Sequence, residues 1–385
     1  MKTSTKLVAA FLAVLMSACL FTACAKQPSG GTDQENPDAD KAASFFLGAT
    51  GPLTGDASSY GISVKNGAQL AVQEINAAGG INGIQIFFDM KDDKATAEDA
   101  ATGYDALMDA GMQISLGSVT SGSCESFASK SEADNLFFIT PSASAASVIA
   151  DRANAFRVCF GDPDQGTLAA KEIAKSYTKI GAIYDNSDPY SKGIYEAFDA
   201  EMKNLDKTYT VQTFDQETKK DFSTQVEALK DCDVIFLPIY YTEAGLIAKT
   251  CSAKGCAALL YGCDGLDGVV DMIDDTVTNT IKYITPFDVN SADEKVSSFV
   301  AAYKKAYNAT PDQFAADAYD AVYAIAQAMT TANVTDANIS ASDLCEKVKA
   351  AITADSFKLA GVTGTMTWDA SGACNKEPQI VQISK

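Results

Sequence analysis

The sequence predicts an α/β protein built as two Rossmann-like lobes, each a doubly wound parallel sheet with helices on both faces. Three observations predict it. Short apolar runs of strand length alternate with helical apolar patterns from residue 44 onward. The alternation continues past Asp162 into a second set of strands and helices. The chain beyond residue 43 is about 340 residues long, more than one hydrophobic core usually holds, and its 47% apolar content can fill two.

Taken in order, 44–53 is an apolar run ending in Gly-Pro. A helix follows, with Ala68, Ala71, Val72 and Ile75 at i, i+3, i+4, i+7, closed by Gly79-Gly80 as a left-handed cap. Next come strand 84–90, a helix faced by Ala97, Ala101, Tyr104 and Met108, strand 113–119, helix 122–134 and strand 136–140. The second set runs helix 164–176, strand 180–184, helix 190–203, strand 209–214, helix 222–230, strand 234–237, helix 243–253 and strand 258–262. Val234-Ile235-Phe236-Leu237 reads as a strand buried on both faces. Phe314, Ala318, Val322, Ile325 and Met329 mark a long helix, and Leu344, Val348 and Ile352 another. The pattern assigns no element to 286–312.

The first residues read as a targeting segment, 1–23. Lys2 and Lys6 precede an apolar run from Leu7 to Leu15, too short for a span of ~20 residues and of signal length. It ends in Leu20-Phe21-Thr22-Ala23-Cys24, which resembles a bacterial lipobox, with Phe21 where Leu is usual. Cys24 is the expected lipidation site, and Met16-Ser17-Ala18-Cys19 is a weaker alternative. Residues 24–43 follow as a polar, Gly/Pro/Ser-rich tether between membrane and domain.

Composition excludes several functions. The formal charge is −20, with 30 basic against 50 acidic residues, so nucleic acid is not an expected partner. There is no histidine, which removes Ser-His-Asp chemistry and most zinc sites. No metal, no cofactor and no catalysis are expected. The eight cysteines after Cys24 are dispersed without a CxxC pair. Cys251 with Cys256, or Cys232 with Cys256, are possible bridges, and isolated small core residues are equally compatible.

Ligands of open parallel sheets bind beyond the strand C-termini, so residues just after strands are the candidates. Ser121 opens a helix, where hydroxyl and free amides receive a carboxylate. Ser144 adds a hydroxyl, Asp264 a negative charge for an ammonium group, and Tyr60, Tyr190 and Tyr240 apolar walls with polar tips. Each taken alone has a plainer explanation: helix caps for the hydroxyls, a turn for Asp264-Gly265. Their recurrence at strand ends in both halves favours one site for a zwitterion.

With these residues the chain resembles the type I periplasmic binding proteins, specifically the branched-chain amino acid (leucine/isoleucine/valine) substrate-binding proteins of ABC transporters. The resemblance runs from about residue 45 to residue 383. It is carried by Gly51-Pro52-Leu53-Thr54-Gly55 with Tyr60-Gly61, by 74–83 (EINAAGGING), by Asp92-Asp93, by Thr140-Pro141-Ser142-Ala143, and by Gly364-Thr365 through Trp368-Asp369. It implies that Ser121 and Ser144 hold the ligand carboxylate. It implies that the backbone at Ser142, beside Ala143, accepts from the amino group, and that Tyr60 lines the side-chain pocket. Tyr190 and Tyr240 would close from the second lobe, and Asp264 would pair with the ammonium where some members carry Glu. Three hinge crossovers are implied near 159–162, 284–287 and 365–369, giving lobe one as 44–160 plus 286–366 and lobe two as 161–285 plus 367–385. The implied protein is an extracytoplasmic, lipid-anchored monomer that delivers an amino acid, aliphatic or branched, to a membrane permease. A sensor feeding a receptor, or a carrier of an amide, urea-type or aromatic solute, are the alternatives. A Rossmann-type enzyme is disfavoured, because there is no G-x-G-x-x-G after the first strand and no P-loop.

Overall fold

The computed structural model describes residues 43–383. The signal-like segment 1–23, Cys24 and nearly all of the tether lie outside the described residues.

The first sheet contains β1 (Phe45–Gly51), β2 (Ile86–Asp92), β3 (Ile114–Ser115), β4 (Phe138–Thr140) and β5 (Ala155–Arg157), all parallel, in the order β2-β1-β3-β4-β5. Its helices are α1 (Ser58–Ala77), α2 (Ala97–Asp109), α3 (Ser121–Asp134) and the short α4 (Ala146–Ile149). The two faces are sorted by the strand period. Phe45, Leu47 and Ala49 of β1 join a core with α1, whereas Phe46 joins one with α2, α3 and α4. Gly79 and Gly80 both take positive φ and close α1, as expected.

The second sheet repeats the plan. Here α5 (Asp162–Ser176), β6 (Ile180–Asp185), α6 (Pro189–Asn204), β7 (Thr210–Phe214), α7 (Ser223–Ala228), β8 (Val234–Leu237), α8 (Tyr241–Lys254), β9 (Leu259–Gly262) and β10 (Ile281–Thr285) give the parallel order β7-β6-β8-β9-β10. Ile180, Ala182, Val234 and Phe236 pack on α5 and α6, while Ile235, Leu237 and Leu260 pack on the other face with α7 and α8. Strand order 2-1-3-4-5 reverses direction beside the first strand, and such a reversal opens a crevice at the strand C-termini. The two sheets have it at β1/β3 and at β6/β8.

After β10 the chain returns to the first lobe with α9 (Glu294–Tyr307), α10 (Gln313–Thr331) and α11 (Ala341–Ile352), then the hairpin β11 (Leu359–Gly361) and β12 (Gly364–Met366). Helix α10 lies along α1, and Phe314, Ala318, Val322, Ile325 and Met329 share the core of β1. α9 fills the unassigned stretch 286–312, and its buried Val296, Phe299, Val300 and Tyr303 keep helical spacing. β3 is far shorter than the expected 113–119. Ser115 Oγ donates to Gly48 O at 2.8 Å and accepts from Gly117 N at 2.8 Å, where Gly117 turns at φ 69°.

The last crossing comes later than the expected 365–369. Trp368 Nε1 donates to Arg157 O at 2.8 Å, Arg157 N donates to Gly372 O at 3.0 Å, and Lys376 pairs with Asp317 of α10. Only then does β13 (Gln379–Ile383) join β10, antiparallel, in the second sheet. Both partners of the Lys376–Asp317 pair are at least 97% buried, with side-chain exposures of 1% and 3%. All eight described cysteines are free thiols, six of them buried, so none of the possible bridges forms and they serve as small core residues. No described helix is long and apolar enough to cross a membrane.

Removing one partner of a buried pair leaves the other uncompensated. Lys376→Met is therefore expected to cost about 3 kcal/mol of unfolding free energy, read as a lower urea midpoint at unchanged slope.

Candidate functional site

The loops after β1, β3 and β4 face those after β6, β8 and β9 across a narrow cleft. Local chemistry sets the first of these loops. Asp92, at the end of β2, accepts from Leu53 N at 2.8 Å and from Thr54 Oγ1 at 2.6 Å. Asp93 is buried, accepts from Ser118 Oγ at 2.6 Å, and burial raises its carboxyl above the usual range. The acidic pair thus ties the β1 and β3 loops together. Gly61 lets α1 close on this loop, since a Cβ there would meet Pro52 O at 2.0 Å. That contact seats the neighbouring Tyr60.

Tyr60 reaches across the cleft. Its hydroxyl donates to Gly265 O and accepts from Tyr241 N at 3.1 Å. Its ring contacts Tyr240, Tyr241 and Phe314, with centroids 5.6, 4.9 and 4.5 Å away. Other bonds between the lobes surround it. Thr242 Oγ1 donates to Asp56 O at 2.9 Å, Gln313 Nε2 donates to Asp264 O at 2.7 Å, and Gln313 N donates to Asp267 Oδ2 at 3.1 Å. Lys219 Nζ bridges Asp56 at 3.1 Å and Glu243 at 3.6 Å. The lobes are therefore closed on one another.

Between them lies a cavity of about 10 Å³, lined by Tyr60, Val119, Thr120, Ser121, Ser142, Tyr190, Tyr240, Asp264, Gly265 and Phe314. On one wall, α3 begins at Ser121, and its N-cap Thr120 makes no side-chain bond to the helix amides. Those amides, with the Ser121 hydroxyl, form a wall of partial positive charge. Ser142 Oγ donates to Val119 O at 2.8 Å, which pins the β3 and β4 loops side by side.

The opposite wall is negative. Asp264 is buried and forms no ion pair among the described residues; burial pushes its carboxyl up to about 6. Tyr190 OH donates to Asp264 Oδ1 at 2.7 Å and accepts from Gly265 N at 2.8 Å. Gln165 Oε1 accepts from Asp264 N at 3.0 Å. Gly265 is required by this packing, because a Cβ there would stand 2.6 Å from the Tyr190 hydroxyl and 2.8 Å from Ile239 O. Tyr240 stacks on Tyr190, with centroids 4.9 Å apart and planes at 11°. One wall is thus built for an anion and the other for a cation.

Six of the eight candidates, Tyr60, Ser121, Ser142, Tyr190, Tyr240 and Asp264, line this cavity. Ala143 and Ser144 do not. Ala143 N donates to Thr140 Oγ1 at 2.9 Å, and its methyl faces the core between β4 and α3. Ser144 lies behind the pocket, its carbonyl accepting from Arg157 Nη1 at 2.6 Å and Asp162 N at 3.0 Å. Its hydroxyl is buried beside the Asp162 carboxyl. The turn after Thr140 folds both side chains away from the cleft. Gln165, Tyr241, Gln313 and Phe314 were not candidates; the last two begin α10, which no strand precedes. Among the described residues no cluster of three metal-ligating side chains exists.

The family described as "Periplasmic binding protein" matches residues 44–384. The chain belongs to it. Among relatives of this periplasmic binding protein is the Leu/Ile/Val-binding protein BraC3 of Rhizobium johnstonii, 30% identical over 286 residues, 73% of this chain and 77% of that one. The branched-chain amino acid transporter substrate-binding protein LivJ of Streptococcus pneumoniae, solved with isoleucine, superimposes with a TM-score of 0.78 at 28% identity, covering 88% of this chain and 95% of the other. A solute-binding protein of an R. palustris ABC transporter, solved with benzoate, shares the fold at 19% identity, with a TM-score of 0.77 over 88% and 92% of the two chains. The type I periplasmic binding fold and the Leu/Ile/Val-binding branch of the family stand as the sequence resemblance implied. The family consists of solute-binding proteins and not of enzymes.

Tyr60→Phe removes both cross-lobe bonds of the hydroxyl and leaves Gly265 O and Tyr241 N buried without it. The closed arrangement should weaken by ~1–3 kcal/mol, seen as a larger radius of gyration in solution scattering. An unchanged radius would show that the hydroxyl does not hold the lobes together.

Proposed function

We propose that this protein is an extracytoplasmic binding protein, lipid-anchored through Cys24, that captures an α-amino acid between its lobes and hands it to the permease of an ABC transporter. The observation that carries this is the polarity of the cavity: helix amides and Ser121 on one lobe, a buried carboxylate without a cation, Asp264, on the other. An α-carboxylate suits the first wall and an α-ammonium the second. Charge-assisted hydrogen bonds contribute ~1.5–3 kcal/mol each, and a few of them reach micromolar affinity, about −8 kcal/mol. The likeness to proteins named for leucine, isoleucine and valine supports the same class of ligand.

Closure requires that the ligand bind the closed form better than the open one. Asp264 and the tyrosines of the second lobe supply that difference, since they meet the ligand only when the lobes meet.

Calorimetric titration of the purified protein against the common amino acids, with benzoate as a further arm, tests the reading. At least one amino acid should bind at micromolar strength or better, and Asp264→Ala should lose ~1.5–3 kcal/mol. Affinity should be full above about pH 7 and decline as pH falls through 6, because a carboxyl held up to about 6 becomes neutral there and no longer pairs with an ammonium group. Binding of benzoate alone would refute the amino-acid reading. For the anchor, Cys24→Ser should move the protein from the membrane fraction to the soluble one.

A further inference from the structure

Beside the inner cavity lies a second chamber of about 220 Å³, and the two share Thr120 and Tyr240 in their walls. The inner cavity has room for about one water molecule and is bounded by Tyr60 and Phe314, whose rings are in contact. Tyr60 is held there by its bonds to the second lobe. The closed site therefore has no room for a branched side chain, and even the head of an amino acid needs its walls to part. The outer chamber has the space.

Its lining is charged. Asp56, Asp185, Asp188 and Glu243 stand against Lys94 and Lys219. Most of these groups are already engaged. Lys219 bridges Asp56 and Glu243, and Lys94 pairs with Asp99 at 3.3 Å. Asp185 accepts from Ser187 N at 2.8 Å and from Gln216 Nε2 at 3.1 Å. Asp188 differs. Its Oδ2 accepts from Ser191 N at 3.0 Å as the cap of α6, yet it forms no ion pair among the described residues, and Asp185 and Glu243 are its charged neighbours. A second, independent feature stands in the shared wall: the Tyr240 hydroxyl oxygen is fully buried and has no hydrogen-bond partner among the described residues. An aliphatic side chain entering here would leave both groups desolvated and unpaired.

We infer that the side chain of the captured amino acid passes Tyr240 into this outer chamber and ends in a cation, an ammonium or guanidinium group, that meets Asp188 and the Tyr240 hydroxyl. The inference rests on the α-amino-acid reading above and narrows its ligand class, replacing the aliphatic side chain expected from the resemblance.

The test is equilibrium titration of the purified protein with ornithine, lysine, arginine, alanine, leucine and isoleucine. A basic amino acid should bind at least tenfold more tightly than leucine. Asp188→Asn keeps a residue that caps helices well, and it should lower the ratio of basic-amino-acid affinity to alanine affinity about tenfold. Tighter binding of leucine or isoleucine than of every basic amino acid would overturn the inference and leave the amino-acid reading intact. An unchanged ratio in Asp188→Asn would overturn it too. If the folded protein, checked by circular dichroism, binds no amino acid at all, the α-amino-acid reading falls and this inference with it.

Discussion

Asp264 is a carboxylate kept out of water without a positive partner, and the cleft is organised around that constraint. The second lobe spends Tyr190, Gln165 and the turn at Gly265 on holding it. Hydrogen bonds of this kind orient the group but do not neutralise it, and burial still raises its carboxyl to about 6. A site of this sort favours whatever brings the missing charge. The first lobe contributes the complement, a helix start whose amides are not capped by Thr120. Neither wall is unusual alone; their opposition across a few ångströms of shared cavity is what the proposed capture of a dipolar solute rests on.

That opposition follows from topology. Each sheet reverses its strand order beside its first strand, at β1/β3 in one lobe and β6/β8 in the other. The loops at those reversals splay apart and leave room for α3 and α6 to start at the crevice. Because the two sheets repeat one plan, the crevices face each other when the lobes meet. Pro189, at the start of α6, comes within van der Waals reach of where a Cβ on Gly122 of α3 would stand.

Much of this was legible in sequence because it depends on periodicity. Strands buried on both faces read as continuous apolar runs, and long helices keep their spacing, so the order of elements was visible through β9 apart from α4 and β5. α9 carries the same signal in Val296, Phe299, Val300 and Tyr303, but it stands in a polar stretch outside the strand-helix alternation. β5, β11 and β12 have three residues each, too few for a period of two to register. In the site, residues immediately after strands line the cavity where the chain keeps its direction. They do not where it turns, as after Thr140, whose hydroxyl folds Ala143 back toward the core. Gln313 and Phe314 reach the cleft from a helix that no strand introduces, so position relative to a strand had nothing to say about them.

The chain passes between the lobes three times, after Arg157, after Thr285 and just before Gln379. The first and last passages are stitched together by Trp368 and Gly372 on Arg157, and the second and last by the β10–β13 pairing. One linker would let the halves twist and slide; three bound side by side resist both and leave bending about a single axis as the soft motion. Each opening and shutting then retraces one arc, so the Tyr60 hydroxyl returns to the same carbonyl, and the shut geometry is the same each time.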